Sequence, residues 1–426
     1  MAHDPMTTAT SSAPARRGLP LLLGANLAAN LGDGIAKVAF PLLAATVTRD
    51  PVLIAGLSAA QFLPWLLLAV LAGALLDRVD RRKAIVLANT ARAAAIGGMT
   101  VLVLTDSTSI WLVYIGALVV GVAEVVADSA ANVLIPSVVD QNGLSGANSK
   151  LQATEIVGQT FAGGPVGSLT FAVFAAFPFL LTSASFAIGA ALLLALAGSF
   201  RPQRSAASDA PDRPAAALRS DLADGMRWLI RDPVMWRLVV AAGGLALTSE
   251  LAQAQLVLYA LEDLSLSEAA FGVFGLVGGL GGLAGAAIAS RLVDRFRGRY
   301  VLASAMAAAG AAFIAMGNSA QPVASAVLFG VFAGAVVIAN VLLATVRHRL
   351  VPGELLGRVL GVWRTVVWGM LPVGALFGGL LTTVLGSTSA TFAFSGVCQI
   401  ALGAVTLAAV LLLDRQRTTG SAAEAE

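Results

Sequence analysis

Apolar positions run through this chain in long blocks, and polar positions are pressed into the short gaps between them. Twelve blocks stand out, near 19–47, 52–76, 84–104, 109–131, 150–174, 178–200, 234–260, 268–290, 300–317, 322–345, 358–385 and 389–413. Each approaches or exceeds the ~20 residues that a helix needs to cross the hydrocarbon of a bilayer. None alternates with the period of two that marks barrel strands, and only helices or closed barrels satisfy their backbone in lipid. The pattern predicts an all-α membrane protein of twelve transmembrane helices, here called spans 1 to 12. The chain divides accordingly into a tail (1–18), a six-helix half (19–200), a linker (201–233), a second six-helix half (234–413) and a second tail (414–426). Within the linker, 201–216 is rich in Ser, Ala, Pro and Arg and reads as a flexible connection. Leu218, Leu222, Met226 and Leu229 then fall on one helical face, which predicts an amphipathic helix on the membrane surface.

The charged gaps repeat. Gly73-Ala-Leu-Leu-Asp77-Arg78-Val-Asp80-Arg81-Arg82-Lys83 follows span 2, and Ser290-Arg-Leu-Val-Asp294-Arg295-Phe-Arg297-Gly-Arg299 follows span 8, with Asp-Arg displaced by 217 residues. Asp33 precedes Asp77 by 44 residues, and Glu250 precedes Asp294 by the same 44. Pro165-Val-Gly-Ser-Leu169 in span 5 returns as Pro372-Val-Gly-Ala-Leu376 in span 11. Three matches in one order indicate a duplication of six helices, which is how many secondary transporters are built.

Composition narrows the class. Hydrophobic residues make up 58% of the chain and charged residues 12%, with a mean hydropathy of +0.84. Soluble domains carry about 25% charged residues. Cys398 is the single cysteine, which rules out a disulfide framework and a cysteine metal site. The two histidines, His3 and His348, fall outside the spans, and no phosphate-binding Gly-x4-Gly-Lys-Ser/Thr loop occurs. No metal, cofactor or enzymatic activity is expected. Of the 27 Lys and Arg, 20 fall in the termini and in the even-to-odd loops and three more, Lys150, Arg237 and Arg358, at the ends of spans beside those loops; Arg49 lies on the other side, and Lys37, Arg92 and Arg364 lie within spans. Positive charge stays cytoplasmic, so both termini are expected there, in a cell membrane. The net charge of +3 belongs to these loops and does not point to nucleic acid. Arg16-Arg17 precede an apolar run too long for a signal peptide, so the first helix reads as an anchor.

On these residues the chain resembles the major facilitator superfamily. The family's loop 2–3 signature, Gly-x-Leu-x-Asp-Arg-x-x-Arg-Arg, is met at Gly73, Leu75, Asp77, Arg78, Arg81 and Arg82. Asp80 stands where the family has Gly, and Ser290 replaces the initial Gly of the second copy. Arg349-Leu-Val-Pro352-Gly-Glu354-Leu-Leu-Gly357-Arg358 and the Leu-Gly-Asp33-Gly of span 1 are similar to the siderophore and macrolide efflux (transmembrane secretion effector) branch. The resemblance implies a gate: Asp77 caps a helix of the opposite half, and Arg78, Arg81 and Arg82 pair with it and with a span 4 acid, here Asp128. Asp294 and Arg295 would be the second-half counterpart. A carboxylate at a helix N-terminus is favourable by ~0.3–1 kcal/mol. The simpler reading is that these charges only anchor topology.

Charges inside spans are expensive in hydrocarbon and mark function by default. Asn26, Asn30, Asp33 and Lys37 form a polar stripe at i, i+4, i+7 and i+11 along span 1. Asp33 and Lys37 could pair across one turn as a structural ion pair, or Asp33 could bind a proton or substrate. Glu250, the repeat mate of Asp33 in span 7, has no lysine nearby in sequence and is an equal protonation candidate. Glu124 and Asp128 share a face of span 4; Glu124 could draw in a cationic substrate, and Arg92 is an alternative partner for either. Span 4 lacks the Arg found in many proton-driven members. Glu155 and Arg364 could pair between the halves, while Asn340, Trp363 and Trp368 are candidate cavity residues. Gly163-Gly164-Pro165 allows close helix approach and bending in span 5.

The expected function is secondary export of an amphipathic small molecule by proton antiport; the alternative is an uptake symporter or facilitator for a small polar nutrient. The expected partners are the small-molecule substrate, protons and the lipid bilayer, with the protein as a monomer.

Overall fold

The computed structural model describes residues 14–76, 79–134, 139, 143–196 and 214–423. All regular structure among the described residues is helical. In the first half, α1 is Pro14–Val47, α2 Pro51–Leu76, α3 Arg81–Leu104 and α4 Ile110–Leu134. Span 5 is composite: α5 (Leu144–Glu155), a π-helical segment (Ile156–Gly163) and α6 (Gly164–Val173). α7 (Phe177–Leu194) closes that half, and α8 (Pro214–Arg231) belongs to the linker. In the second half, span 7 comprises α9 (Pro233–Gln253), the turn α10 (Leu256–Leu258) and a π-helical turn (Tyr259–Asp263). α11 (Glu268–Arg295), α12 (Gly298–Gly317), α13 (Pro322–Leu350), α14 (Gly353–Leu385) and α15 (Thr388–Ala423) complete it. Among the described residues eleven helices are long and apolar enough to cross a membrane, and the broken span 5 makes the twelfth.

Polar residues between the blocks set the helix ends. Asp80 accepts from Lys83 N, Asp232 from Val234 N and Met235 N, and Ser267 from Ala270 N, so each satisfies free N–H groups of a first turn. Gly386 takes φ +65° just past α14, the left-handed conformation suited to a residue without Cβ. The predicted break in span 5 is a widened turn rather than a bend at Pro165. A Cβ on Gly163 would lie 2.5 Å from Gly34 Cα, so α1 and span 5 meet backbone to backbone there.

Helix α8 departs from its expected place. Leu229 is fully buried with Met235, Val359 and Val362, and Met226 and Trp228 pack beside it. The Met226–Leu229 end of the predicted face is therefore covered by α9 and α14 of the second half. Asp224 adds an ion pair to Arg358 at 3.8 Å.

The two halves meet along α2 with α14 and along α6 with α11. Their ties concentrate at the end opposite the chain termini. Arg49 Nη1 lies 3.5 Å from Glu262 Oε1, the Gln255 side chain donates to Pro51 O at 3.1 Å, and Ser168 Oγ donates to Ala269 O at 3.3 Å. Ala55, Ala254 and Ala375 pack beneath them as a small buried cluster.

This arrangement fixes an expected labelling pattern. Asp294 at one end of α11 and Ala320 between α12 and α13 are both exposed, and α12 separates them. With Cys398 replaced by Ser, D294C should react with an impermeant thiol reagent only from one face, the cytoplasmic one expected from the charge pattern, and A320C only from the other. Labelling of both from one face would overturn the assigned topology.

Candidate functional site

Between the sealed end and the end carrying the termini lies a cavity of ≈ 730 Å³. Its walls come from α1, α2, α4, the α5–π segment and α14. The first half supplies almost all the polar groups: Asp33, Lys37, Gln61, Glu124, Asp128, Glu155 and Gln159. The second half contributes Arg364 and Trp368.

Asp33 and Arg92 form the buried core of this wall. Arg92 Nη2 lies 3.1 Å from Asp33 Oδ1 and 4.0 Å from Glu124 Oε2, with Arg92 and Asp33 only 1% and 5% exposed. The Arg92 guanidinium also sits 4.7 Å above the Phe186 ring. One cation thus lies between two acids, and Asp128 lines the same wall. Breaking a buried pair by removing one partner costs about 3–5 kcal/mol.

Lys37 does not pair with Asp33. Its Nζ donates to Gln159 Oε1 at 2.5 Å, and Gln159 Nε2 donates to Asn30 Oδ1 at 2.6 Å. Asn30 Nδ2 donates to Asn26 O at 2.8 Å, and Asn26 Nδ2 to Thr154 Oγ1 at 2.8 Å. The stripe along span 1 is real, but its amides and its lysine are satisfied by span 5. That leaves Asp33 to Arg92 of α3. The 59-residue separation of Asp33 and Arg92, against the four of Asp33 and Lys37, hides this partner from any local pattern.

Arg364 does not pair with Glu155, although both line the cavity. Its guanidinium lies 5.2 Å from the rings of both Trp65 and Trp368, and those rings are 5.1 Å apart. Trp65 belongs to the first half and Trp368 to the second, so this cation–aromatic cluster bridges the halves. Trp65, Gln61 and Gln159 are cavity residues that the sequence reading missed. Trp363 packs in the second-half core with the Arg347 guanidinium over it, and Asn340 does not line the cavity.

Glu250 stands apart from its repeat mate. It is 7% exposed on α9, outside the cavity lining, and faces Ser58 of α2. It therefore sits between the halves, near the sealed end.

Of the expected gate, Gly73 lies in α2, while Asp77 and Arg78 fall outside the described residues. Arg82 Nε and Nη2 donate to Leu193 O at 2.7 Å and Leu194 O at 2.6 Å. It thereby satisfies carbonyls that the end of α7 leaves open, where positive charge is favoured. Arg81 begins α3 beside it. Asp294 and Arg295 are exposed at the end of α11, with Arg295 5.9 Å from the Phe296 ring.

The profile of the Major Facilitator Superfamily matches residues 22–367 and again 244–426. The chain belongs to the Major Facilitator Superfamily. It is 38% identical over 132 residues to an uncharacterised MFS-type transporter of Mycobacterium bovis (strain ATCC BAA-935 / AF2122/97), and equally to one of Mycobacterium tuberculosis (strain ATCC 25618 / H37Rv). Each match covers 30% of this chain and 30% of the relative. Among solved structures, the nucleoside transporter NupG (in a mutant form) superposes with a TM-score of 0.76 at 12% identity, over 93% of this chain and 99% of that one. A bacterial homologue of the iron transporter ferroportin, inward-facing, gives 0.66 at 18% identity over 91% and 99%. At these identities the likeness is one of fold. The chain is thus a multi-pass membrane protein of this superfamily, with eleven helices among the described residues long and apolar enough to cross a membrane.

Proposed function

We propose that this transporter exports an amphipathic small molecule by proton antiport, with alternating access about the cavity. The observation that carries the reading is the buried Asp33–Arg92–Glu124 cluster in the cavity wall. A proton arriving on the Asp33 carboxylate cancels its charge and loosens its hold on Arg92. Arg92 then shifts its pairing toward Glu124, and the acidic wall presents a different charge to the cavity. Loss of the proton reverses the change. Proton and cationic substrate thus compete for one set of carboxylates, which is the physical basis of exchange. Burial matters because charge interactions strengthen as the effective dielectric falls.

The aromatic part of the lining suits the apolar part of such a substrate. Phe62, Trp65 and Trp368 line the cavity, and Trp faces attract cations and flat rings. The ties at the far end, with the cavity on the terminal side of them, support a state open toward the cytoplasm. In this reading both termini are cytoplasmic and the membrane is the cell membrane. The segments 19–200 and 234–413 act as the two rocking bodies. Arg82, Asp77, Arg78, Arg81 and Asp128 hold the cytoplasmic side when it closes.

The test uses the purified protein in vesicles with ethidium as an aromatic cation probe. An imposed proton gradient should drive ethidium against its concentration, and ethidium added alone should move protons the other way. Accumulation in the same direction as the protons would favour the uptake symporter. Ethidium movement with no proton flux would remove the antiport.

A further inference from the structure

A second cavity, ≈ 820 Å³, opens on the outer flank of the second half, between α11, α12 and α13. Its lining is almost wholly apolar, with Leu280, Ile288, Val327 and Val331 exposed along its edges. Its floor is low because α11 and α13 touch through glycines: a Cβ on Gly285 would lie 2.7 Å from Gly334 Cα. The groove runs toward the terminal side of the membrane and ends at Phe296 and Tyr300. There the end of α11, the turn after it and the start of α12 carry Arg291, Arg295, Arg297 and Arg299 against the single acid Asp294, and Arg297 and Arg299 line a shallow open pocket.

We propose that this groove is a binding site for an anionic phospholipid, its acyl chains in the groove and its phosphate at the arginine turn. An apolar trough alone selects nothing in a bilayer, because lipid tails are as apolar as the leucines they would replace. Selection must come from the head group. Four arginines at the mouth, three of them exposed, complement an anionic one. Basic pockets between helices on the cytoplasmic side bind such head groups through the same attraction. Phe296 and Tyr300 sit at the depth where the chains meet the glycerol, the level that aromatic rings favour. The site is independent of substrate and of transport direction.

The test is native mass spectrometry of the purified full chain, with phosphatidylglycerol and phosphatidylcholine of identical acyl chains in equal amounts. The wild type should retain phosphatidylglycerol preferentially. R291Q and R297Q should each lower that preference about fivefold, while R237Q, near the start of α9, should not. A284F with A308F places two rings on exposed lining positions and should remove the retained lipid of either kind. Millimolar glycerol phosphate should not displace the lipid. Equal retention of both lipids by the wild type, or an unchanged preference in R291Q/R297Q, would overturn the proposal. So would a lipid that persists in A284F/A308F, or one displaced by glycerol phosphate, since either places the binding outside the groove.

Discussion

Asp33→Asn is expected to abolish proton-driven accumulation while sparing passive exchange of the same probe. The amide keeps the shape of the carboxylate and removes its charge, so Arg92 is left with the more distant Glu124, at 4.0 Å, as an ion-pair partner. With Asp33 permanently neutral, the wall is fixed in the state that the proton would create. Uphill ethidium transport in vesicles should fall at least tenfold, and proton movement on ethidium addition should vanish. Downhill exchange should persist within a few-fold. A structural role alone predicts a different outcome, namely loss of expression or thermal stability with the remaining molecules still coupled. The double variant Asp33→Asn/Arg92→Met separates the two. It removes the stranded cation, so it should recover stability and remain uncoupled. Uphill transport by either variant, scaled to the protein present, would move the coupling group elsewhere. Glu250 is the next candidate, because it is buried between the halves with Ser58 rather than a cation beside it.

How far the site was legible in the sequence depends on the range of each contact. The spans, the duplication and the twelve-helix fold follow from apolar block length and repeated charge, which are local signals. The polar stripe Asn26–Asn30–Asp33–Lys37 was equally readable, since one helix generates it. Its partners were not. Arg92, Gln159 and Trp65 come from three other helices, and nothing within those helices marks them as facing span 1 or Arg364. Repeat symmetry also misled at one point. Asp33 and Glu250 occupy matching positions, yet only Asp33 lines the cavity. The duplication sets equivalent positions in each half, while each side chain's surroundings depend on which neighbouring helix its half has kept polar. Span 5 shows a third limit. Gly163-Gly164-Pro165 announced a weak point, but the widened turn arises upstream of Pro165, where Gly163 lies against Gly34 of α1.

Gly379→Leu is expected to stop transport by preventing the far end from closing. Gly379 of α14 faces the start of α2 across the boundary between the halves. A Cβ there would lie 2.7 Å from Ala55 Cβ, 2.8 Å from Pro51 O and 2.9 Å from Val52 Cα. Two of those three atoms are backbone, which cannot turn aside as a side chain can, so a leucine must push the helices apart. The state held by the Arg49–Glu262 pair and the Gln255–Pro51 bond then becomes inaccessible, and alternating access requires that state once per cycle. Transport of ethidium in both directions should fall at least tenfold, exchange included, which distinguishes this variant from Asp33→Asn. At the same time A254C, made with Cys398 replaced by Ser, should become reactive from the far side, because Ala254 lies in the buried cluster that the wedge opens. Ala55→Gly, added to Gly379→Leu, removes the 2.7 Å contact and should restore part of the activity. Full transport in Gly379→Leu with A254C still protected would mean that the halves do not separate at this end, and the rocking motion about the cavity would have to be abandoned.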